Sequence, residues 1–447
     1  MSPSRRPVLV SLASVVVVLF AQSISTGAVR SLFKPDEFTS LGTLNATSGT
    51  ITIDTNALTI TGFGTGVAAR SQSGAAELAV FTFDSISIGP GVTINVVGDR
   101  GLVLGAKGDF YCGSTLNLAG GAGVGRDSSA GPSPGGLGGP GSEGGIPAGA
   151  TWSNPPTTVA GSGGQGTKEG VYPLSDSFGH GVGGGLQVTQ VRKNIGTAGG
   201  GGGYGGAGGQ GGSIAGLPEY ADGGVGYGDD LLTDLFGGSG GGGGRFLPDT
   251  LLNTKLGGGG GGGGAVELIA EGLLTVSGTI DVSGGRGGDG ANICGGGGGS
   301  GGGVILAAPV LDVTGATILA KGGKGEGYTL SDGKGGFYDQ GGYGGGGGGG
   351  RVAFYTLDLS GLSSATVDVS GGLKGLGQFG IYGTDGQSGT FRYYGDGLAN
   401  TQDLAYPVPE PAAWMLLVLG AIGVGCRLLT PRRGPSWPGG ACLGRRS

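Results

Sequence analysis

The chain is poor in the residues on which most chemistry depends. It has one histidine, His180, so a multi-histidine metal site is excluded and any Ser-His-Asp arrangement would have to use that residue. His180 lies in SFGHGVGGG, where an exposed loop residue is the plainer reading. Four cysteines (Cys112, Cys294, Cys426, Cys442) are too few for a disulfide scaffold. Cys426 and Cys442 lie near the C-terminus, which leaves Cys112 and Cys294 as the one pair to consider in the central region. Proline is scarce, at 20 residues, and no Gly-X-Y period runs through the chain, so collagen is excluded. Positive charge is also lacking. The net charge is −6 and Arg5, Arg6, Arg427, Arg432, Arg433, Arg445 and Arg446 cluster at the two ends, so the central region is more acidic still. An acidic surface does not neutralise phosphates, and nucleic acid is excluded as a partner.

What is present in excess is glycine, 119 of 447 residues. Glycine buries no side chain and loses the most backbone entropy on folding, so an ordinary core is hard to build from it. The apolar residues are concentrated in short β-branched runs. One phrase recurs: TLNLAGG at 115–121, TIDVSGG at 279–285, TILAKGG at 317–323 and TVDVSGG at 366–372. The repeat is longer than the heptad, because GLVLGAKGDFYCGSTLNLAGG at 101–121 aligns without a gap on AVELIAEGLLTVSGTIDVSGG at 265–285, at an offset of 164. Later units run over 303–323 and 351–372, and SGTFRYY at 388–394 opens a further one. Each unit has a first strand, a short break, a second strand with alternating polarity ending in Gly-Gly, and then a glycine-rich excursion. The segments TITID (50–54), LTITG (58–62), FTFDSISI (81–88) and VTINVVG (92–98) read as earlier strands of the same plan.

Such units cannot close a core singly but can when stacked. The pattern predicts an all-β chain, a right-handed parallel β-helix or related β-solenoid with Gly-rich loops. Residues 29–127 are expected to form N-terminal coils and 265–395 the later repeats, with a Gly-rich low-complexity insertion at 128–264 between them. That insertion reads as a flexible tract. A second reading has 199–212, the octaglycine at 257–264 and the heptaglycine at 344–350 as polyglycine-II strands packed side by side.

Both ends read as addresses. Arg5 and Arg6 precede an apolar run from Val8 to Ala21 and a small-residue exit, the layout of a secretory signal peptide (1–28) cut after Ala28. At the other end, after a linker at 396–407, Val408-Pro409-Glu410-Pro411 precedes an apolar stretch from Ala412 to Cys426. Arg427, Arg432 and Arg433 follow. Fifteen apolar residues make one short transmembrane helix, and the arginines would stay cytoplasmic. Residues 408–433 closely resemble the PEP-CTERM sorting segment of Gram-negative bacteria: Pro-Glu-Pro, a short membrane helix, a basic cluster. The resemblance implies recognition by an exosortase, transient anchoring in the inner membrane, and a place in the envelope, at the cell surface or outside the cell, often with exopolysaccharide. One departure is the extension GPSWPGGACLGRRS at 434–447, where the family usually ends at the basic cluster. The glycine-rich region 80–395 also resembles repeat regions of secreted bacterial surface proteins.

Candidate chemistry within the repeats is sparse. GGSGG at 237–241 and 298–302 fits a nucleophile-elbow pattern without a strand-turn-helix context. GGRGGD at 284–289 matches the start of one calcium-binding nonapeptide, a signal that needs tandem copies. TIT at 50–52 and 59–61 is too short an array for an ice-binding face. Asn117, Asp281 and Asp368 hold equivalent outward positions, either as a polar ladder or as the carboxylates of a β-helix polysaccharide lyase or glycosidase. Tyr328, Phe337, Tyr338, Tyr343 and Tyr382 lie in the excursions, where exposed rings would stack on sugars. No catalytic residue, metal or cofactor is assigned. The expectation is a structural or adhesive protein rather than an enzyme.

Overall fold

The computed structural model describes residues 30–70, 76–125, 135–141, 167–168, 178–186, 196–212, 220–246, 256–291, 294–329, 342–376 and 383–395. The signal segment with Ala28 and the segment carrying Val408, Pro409, Glu410, Pro411, Arg427, Arg432 and Arg433 lie outside these residues. Among the described residues no helix is long and apolar enough to cross a membrane.

The chain is mostly β and its sheets are largely parallel. It begins with β1 (Thr43–Asp54), two short strands β2 (Thr59–Ile60) and β3 (Gly64–Thr65), then β4 (Val67–Ala69), β5 (Leu78–Phe83) and β6 (Ser85–Val97). A first complete turn follows in β7 (Gly101–Ala106), β8 (Phe110–Cys112) and β9 (Thr115–Asn117). Short pairings β10 (Thr167–Lys168), β11 (Gly196–Thr197) and β12 (Arg245–Phe246) fall in the glycine-rich stretch. Further turns run β13 (Ala265–Ala270), β14 (Leu273–Val276), β15 (Thr279–Asp281), then, after β16 (Gly290–Ala291), β17 (Gly303–Ala307), β18 (Val310–Asp312) and β19 (Thr317–Leu319). After β20 (Tyr328–Thr329) come β21 (Arg351–Tyr355), β22 (Asp358–Ser360) and β23 (Thr366–Asp368), and β24 (Thr390–Tyr394) ends the series.

Equivalent strands stack into three sheets. The first has the order β22-β18-β14-β8-β6-β1-β2-β3, the second β24-β21-β17-β13-β7-β5-β4, and the third β23-β19-β15-β9. Each turn therefore visits the second sheet, the first, the third, and then the glycine excursion. The sequence offset of 164 is the ladder register itself: Leu104 pairs with Leu268, Phe110 with Leu274 and Leu116 with Ile280. At the N-terminal end the stack is closed by antiparallel pairing, of β2 with β1, β3 with β2 and β4 with β5.

The interior is filled by columns of like residues. Phe81, Leu104, Leu268, Leu306 and Phe354 lie in register on the second sheet, and Leu116, Ile280 and Ile318 on the third, all essentially inaccessible. Burial of each such side chain stabilises by roughly 1.5–3 kcal/mol, a gain no isolated unit could realise. The second sheet is buried on both faces, so its strands lack alternation: Ala265–Ala270 and Gly303–Ala307 are buried throughout. Its outer face carries a second cluster, in which Phe33 from the N-terminal arm and Leu232 and Leu235 from the 227–236 segment cover Val80, Val103, Ile305 and Tyr355. The Arg351 guanidinium bonds the Asp230 carboxylate, and Arg392 reaches the same carboxylate at 2.9 Å, which pins that segment down.

FTFDSISI is not one strand. The chain turns a corner at Asp84, between β5 and β6, so its two halves belong to different sheets.

Candidate functional site: the aspartate column and the glycine slab

The excursions are packed, not loose. After each third-sheet strand the chain runs outward (118–125, 282–289, 320–327, 369–376) and then returns (135–141, 257–264, 295–302, 344–350, 383–389). The hydrogen bonds between these runs recur at every third residue. Gly257, Gly260 and Gly263 donate to the carbonyls of Cys294, Gly297 and Ser300 at 3.0, 2.8 and 2.8 Å. Gly298 and Gly301 donate to Gly345 and Gly348, both at 2.9 Å, and Gly345 and Gly348 donate onward to Gly199 and Gly202 at 3.0 and 2.8 Å. Three residues per turn is the period of the polyproline/polyglycine-II helix, which makes no hydrogen bonds within itself and so must find them in neighbours. The result is a slab of side-by-side glycine strands beside the sheets. The runs 199–212, 257–264 and 344–350 exchange such bonds with their neighbours, as the side-by-side polyglycine-II reading expects, whereas 227–236 packs on the second sheet.

Glycine is required here by close approach. A Cβ on Gly299 would overlap the carbonyl of Gly261, and one on Gly347 that of Gly299. Two serines are buried within the slab, Ser239 and Ser300, and they face each other. These are the serines of the two GGSGG patterns. Both are fully buried, and Ser239 Oγ lies 3.1 Å from the Tyr227 hydroxyl. Among the described residues their hydrogen bonds include those to each other and to Tyr227, and both act as internal rivets. His180 is half-buried in the same slab, its carbonyl accepting from Gly240 N at 2.8 Å.

The aspartates sit where strand passes into slab. Asn117, Asp281, Leu319 and Asp368 form one column across the third sheet. In each polar case Oδ1 accepts the amide two residues on, Ala119, Ser283 and Ser370, at 2.9 Å. These are Asx turns that end the strand and aim the chain into the slab. Leu319 stands between Asp281 and Asp368, so the two carboxylates are two strand spacings apart, roughly 9–10 Å. Lys321 pairs with Asp368 at 3.6 Å, on a surface where the lysine side chain is 45% exposed. Asp312 makes a comparable turn at the end of β18, bonding Thr314 N at 3.0 Å, and its hydrogen bonds hold the carboxyl below its ordinary range. Beside the aspartates, Thr115, Thr279, Thr317 and Thr366 form a second column. Sequence reasoning passed over that row, although the phrase T-x-[ND/L] announces it.

Other candidates resolve as structure. GGRGGD is a slab strand: Gly285 and Gly288 donate to Gly261 and Gly258 at 2.7 Å each, and Arg286 faces Glu326 at 3.8 Å. Among the described residues no group of three His, Cys, Asp or Glu side chains is placed to hold a metal ion. Tyr343, expected to be exposed, is fully buried, because its heptaglycine neighbours are themselves interior to the slab. Phe337, Tyr338 and Tyr382 lie outside the described residues. Thr52 and Thr61 meet across an antiparallel turn, with Thr61 N bonded to Thr52 O at 3.0 Å, and so belong to the cap and not to a threonine array. Cys112 and Cys294 are each free and buried, the first in the sheet interior and the second against the slab. Burial pushes their thiols up to about 11 and about 12.

The most perturbed carboxyl is one that the sequence did not single out. Glu267, on the outer face of β13, is wholly buried beneath the N-terminal arm. Its Oε1 accepts from Leu32 N at 2.9 Å, while Oε2 has no hydrogen-bond partner among the described residues. Desolvation raises its pKa to about 8, so at neutral pH it is a neutral acid inside a packed interface. Four residues further on, just past the end of β13, Glu271 accepts from Asp36 N at 3.1 Å, so two carboxyl groups hold the arm.

Compared with protein families, curated proteins and solved structures, the chain matches none.

Proposed function

We propose that this is an exported structural or adhesive protein of the cell surface or extracellular matrix, associated with exopolysaccharide. Its stack is a right-handed β-solenoid, the hand that parallel crossovers strongly favour. A signal peptide ending at Ala28 sends it out, and the segment 408–433 holds it at the inner membrane until an exosortase acts at Val408-Pro409-Glu410-Pro411. One observation carries the structural side of this reading: each outward Asx side chain of the third sheet is committed to a backbone turn. A carboxylate that caps a turn and pairs with a surface lysine is poorly placed as a general acid or nucleophile.

The alternative is a secreted β-helix polysaccharide lyase or glycosidase. It would need Asp281, Asp368 and Lys321 to act on one sugar. Size-exclusion light scattering of the producer's exopolysaccharide after incubation with residues 29–407 separates the two. Unchanged or enlarged particles support a scaffold, and shortened chains overturn it.

A further inference from the structure

Among the described residues the stack is unfinished at its C-terminal end. The second sheet ends at β24, whereas the first ends at β22 and the third at β23, one strand short. The inward residues of those two last strands, Leu359 and Val367, are only half-buried, although Leu311 and Ile318 one strand below are fully covered.

The chain leaves β24 at the point from which every earlier turn entered the first sheet. From second to first sheet the inward residues lie six apart in two earlier turns, Leu104 to Phe110 and Leu268 to Leu274, and five apart in the last two. Leu311 follows Leu306 by five residues, and Leu359 follows Phe354 by five. Tyr393 is the inward equivalent of Phe354, and five residues beyond it stands Leu398. From first to third sheet the step lengthens along the stack, from six residues (Phe110 to Leu116, Leu274 to Ile280) to seven (Leu311 to Ile318) and eight (Leu359 to Val367), so the register is carried by the first-sheet step alone.

We propose that the occupant of this open end is the segment that follows it, residues 396–406, with Leu398 against Leu359. The register places Ala399 beside Ser360. The same docking would give the parallel stack a last layer drawn from its own chain and would cover the half-buried Leu359. It does not depend on whether 408–433 is a sorting signal. If it is one, Val408 starts two residues beyond the closing layer, at the tip of a rigid stack.

Site-directed crosslinking of the full chain tests the register. With Cys426→Ser and Cys442→Ser in every variant, Ser360→Cys is combined in turn with Leu398→Cys, Ala399→Cys or Asn400→Cys and treated with a short bis-thiol reagent. Neighbouring strands lie about 4.8 Å apart, within reach of such a link. The proposal expects the Ala399→Cys pair to link within one chain at least tenfold faster than either neighbour. Equal rates at all three positions, or links between chains, would overturn it, and links between chains would identify a second copy as the occupant. Hydrogen exchange of the unsubstituted chain adds a measurement free of mutations: slowed amides within 397–406 support the docking, and free-peptide rates contradict it.

Discussion

Ser239 and Ser300 face each other across two glycine strands: the Ser239 amide donates to Ser300 Oγ at 2.8 Å, and the Ser300 amide donates to the Ser239 carbonyl at 2.9 Å. They come from excursions 61 residues apart in sequence, and neither touches solvent. This pairing shows that the glycine-rich stretches are an interior, with defined partners for individual atoms.

Substituting slab glycines therefore tests packing. Gly299→Ala would put a methyl group into the Gly261 carbonyl, backbone against backbone, with no flexible side chain to yield. The expected loss is at least the about 1–3 kcal/mol typical of overpacking. Gly89→Ala is the control, because its nearest neighbour, the Ala46 carbonyl, is 3.5 Å away, an ordinary contact. Denaturant midpoints should fall for the first and stay level for the second.

Glu267 predicts a pH dependence. Its pKa is raised from 4.5 to about 8 in the folded chain. Below pH 4.5 both folded and unfolded states hold the proton and there is no penalty. Between about 4.5 and 8 the unfolded state has released it and the folded state has not, so stability falls as pH rises, and above 8 it levels off. Glu267→Gln keeps an acceptor for Leu32 N and removes the titration. Thermal unfolding from pH 4 to 9 should show the wild-type loss, on the order of a few kcal/mol, and a flatter profile in the variant.

The aspartate column gives a prediction that separates turn capping from catalysis. Asp281→Ala removes one Asx turn and should cost about 1 kcal/mol of stability. It should leave the exopolysaccharide size distribution as the unsubstituted protein leaves it. A change in that distribution lost with Asp281→Ala would place the residue in a reaction.

Buried thiols provide a chemical check. Site-resolved alkylation of the native chain should leave Cys112 and Cys294 unmodified, and both should react after denaturation, because each is buried and held as a thiol.

The stacking register was legible because insertions do not disturb it: the 164-residue offset survives between Leu104 and Leu268 whatever lies between them. The alternation in Thr279–Asp281 likewise announced an inward Ile280. The split of FTFDSISI at Asp84 was not legible, since a strand that turns a corner keeps its apolar pattern. The burial of Tyr343 was hidden for a different reason: glycine has no side chain to show periodicity, so a tract that packs and a tract that does not read alike. The role of Glu267 was concealed as well, because a single acid in AVELIA looks like an outward residue until the arm at Leu32 is seen to cover it.

The slab is the central claim, and native-state hydrogen exchange of its glycine amides tests it most directly. The predicted result is strong protection throughout 257–264, 295–302 and 344–350, comparable with β13 and β17. Exchange of those glycines at free-peptide rates, with the strands alone protected, would contradict it.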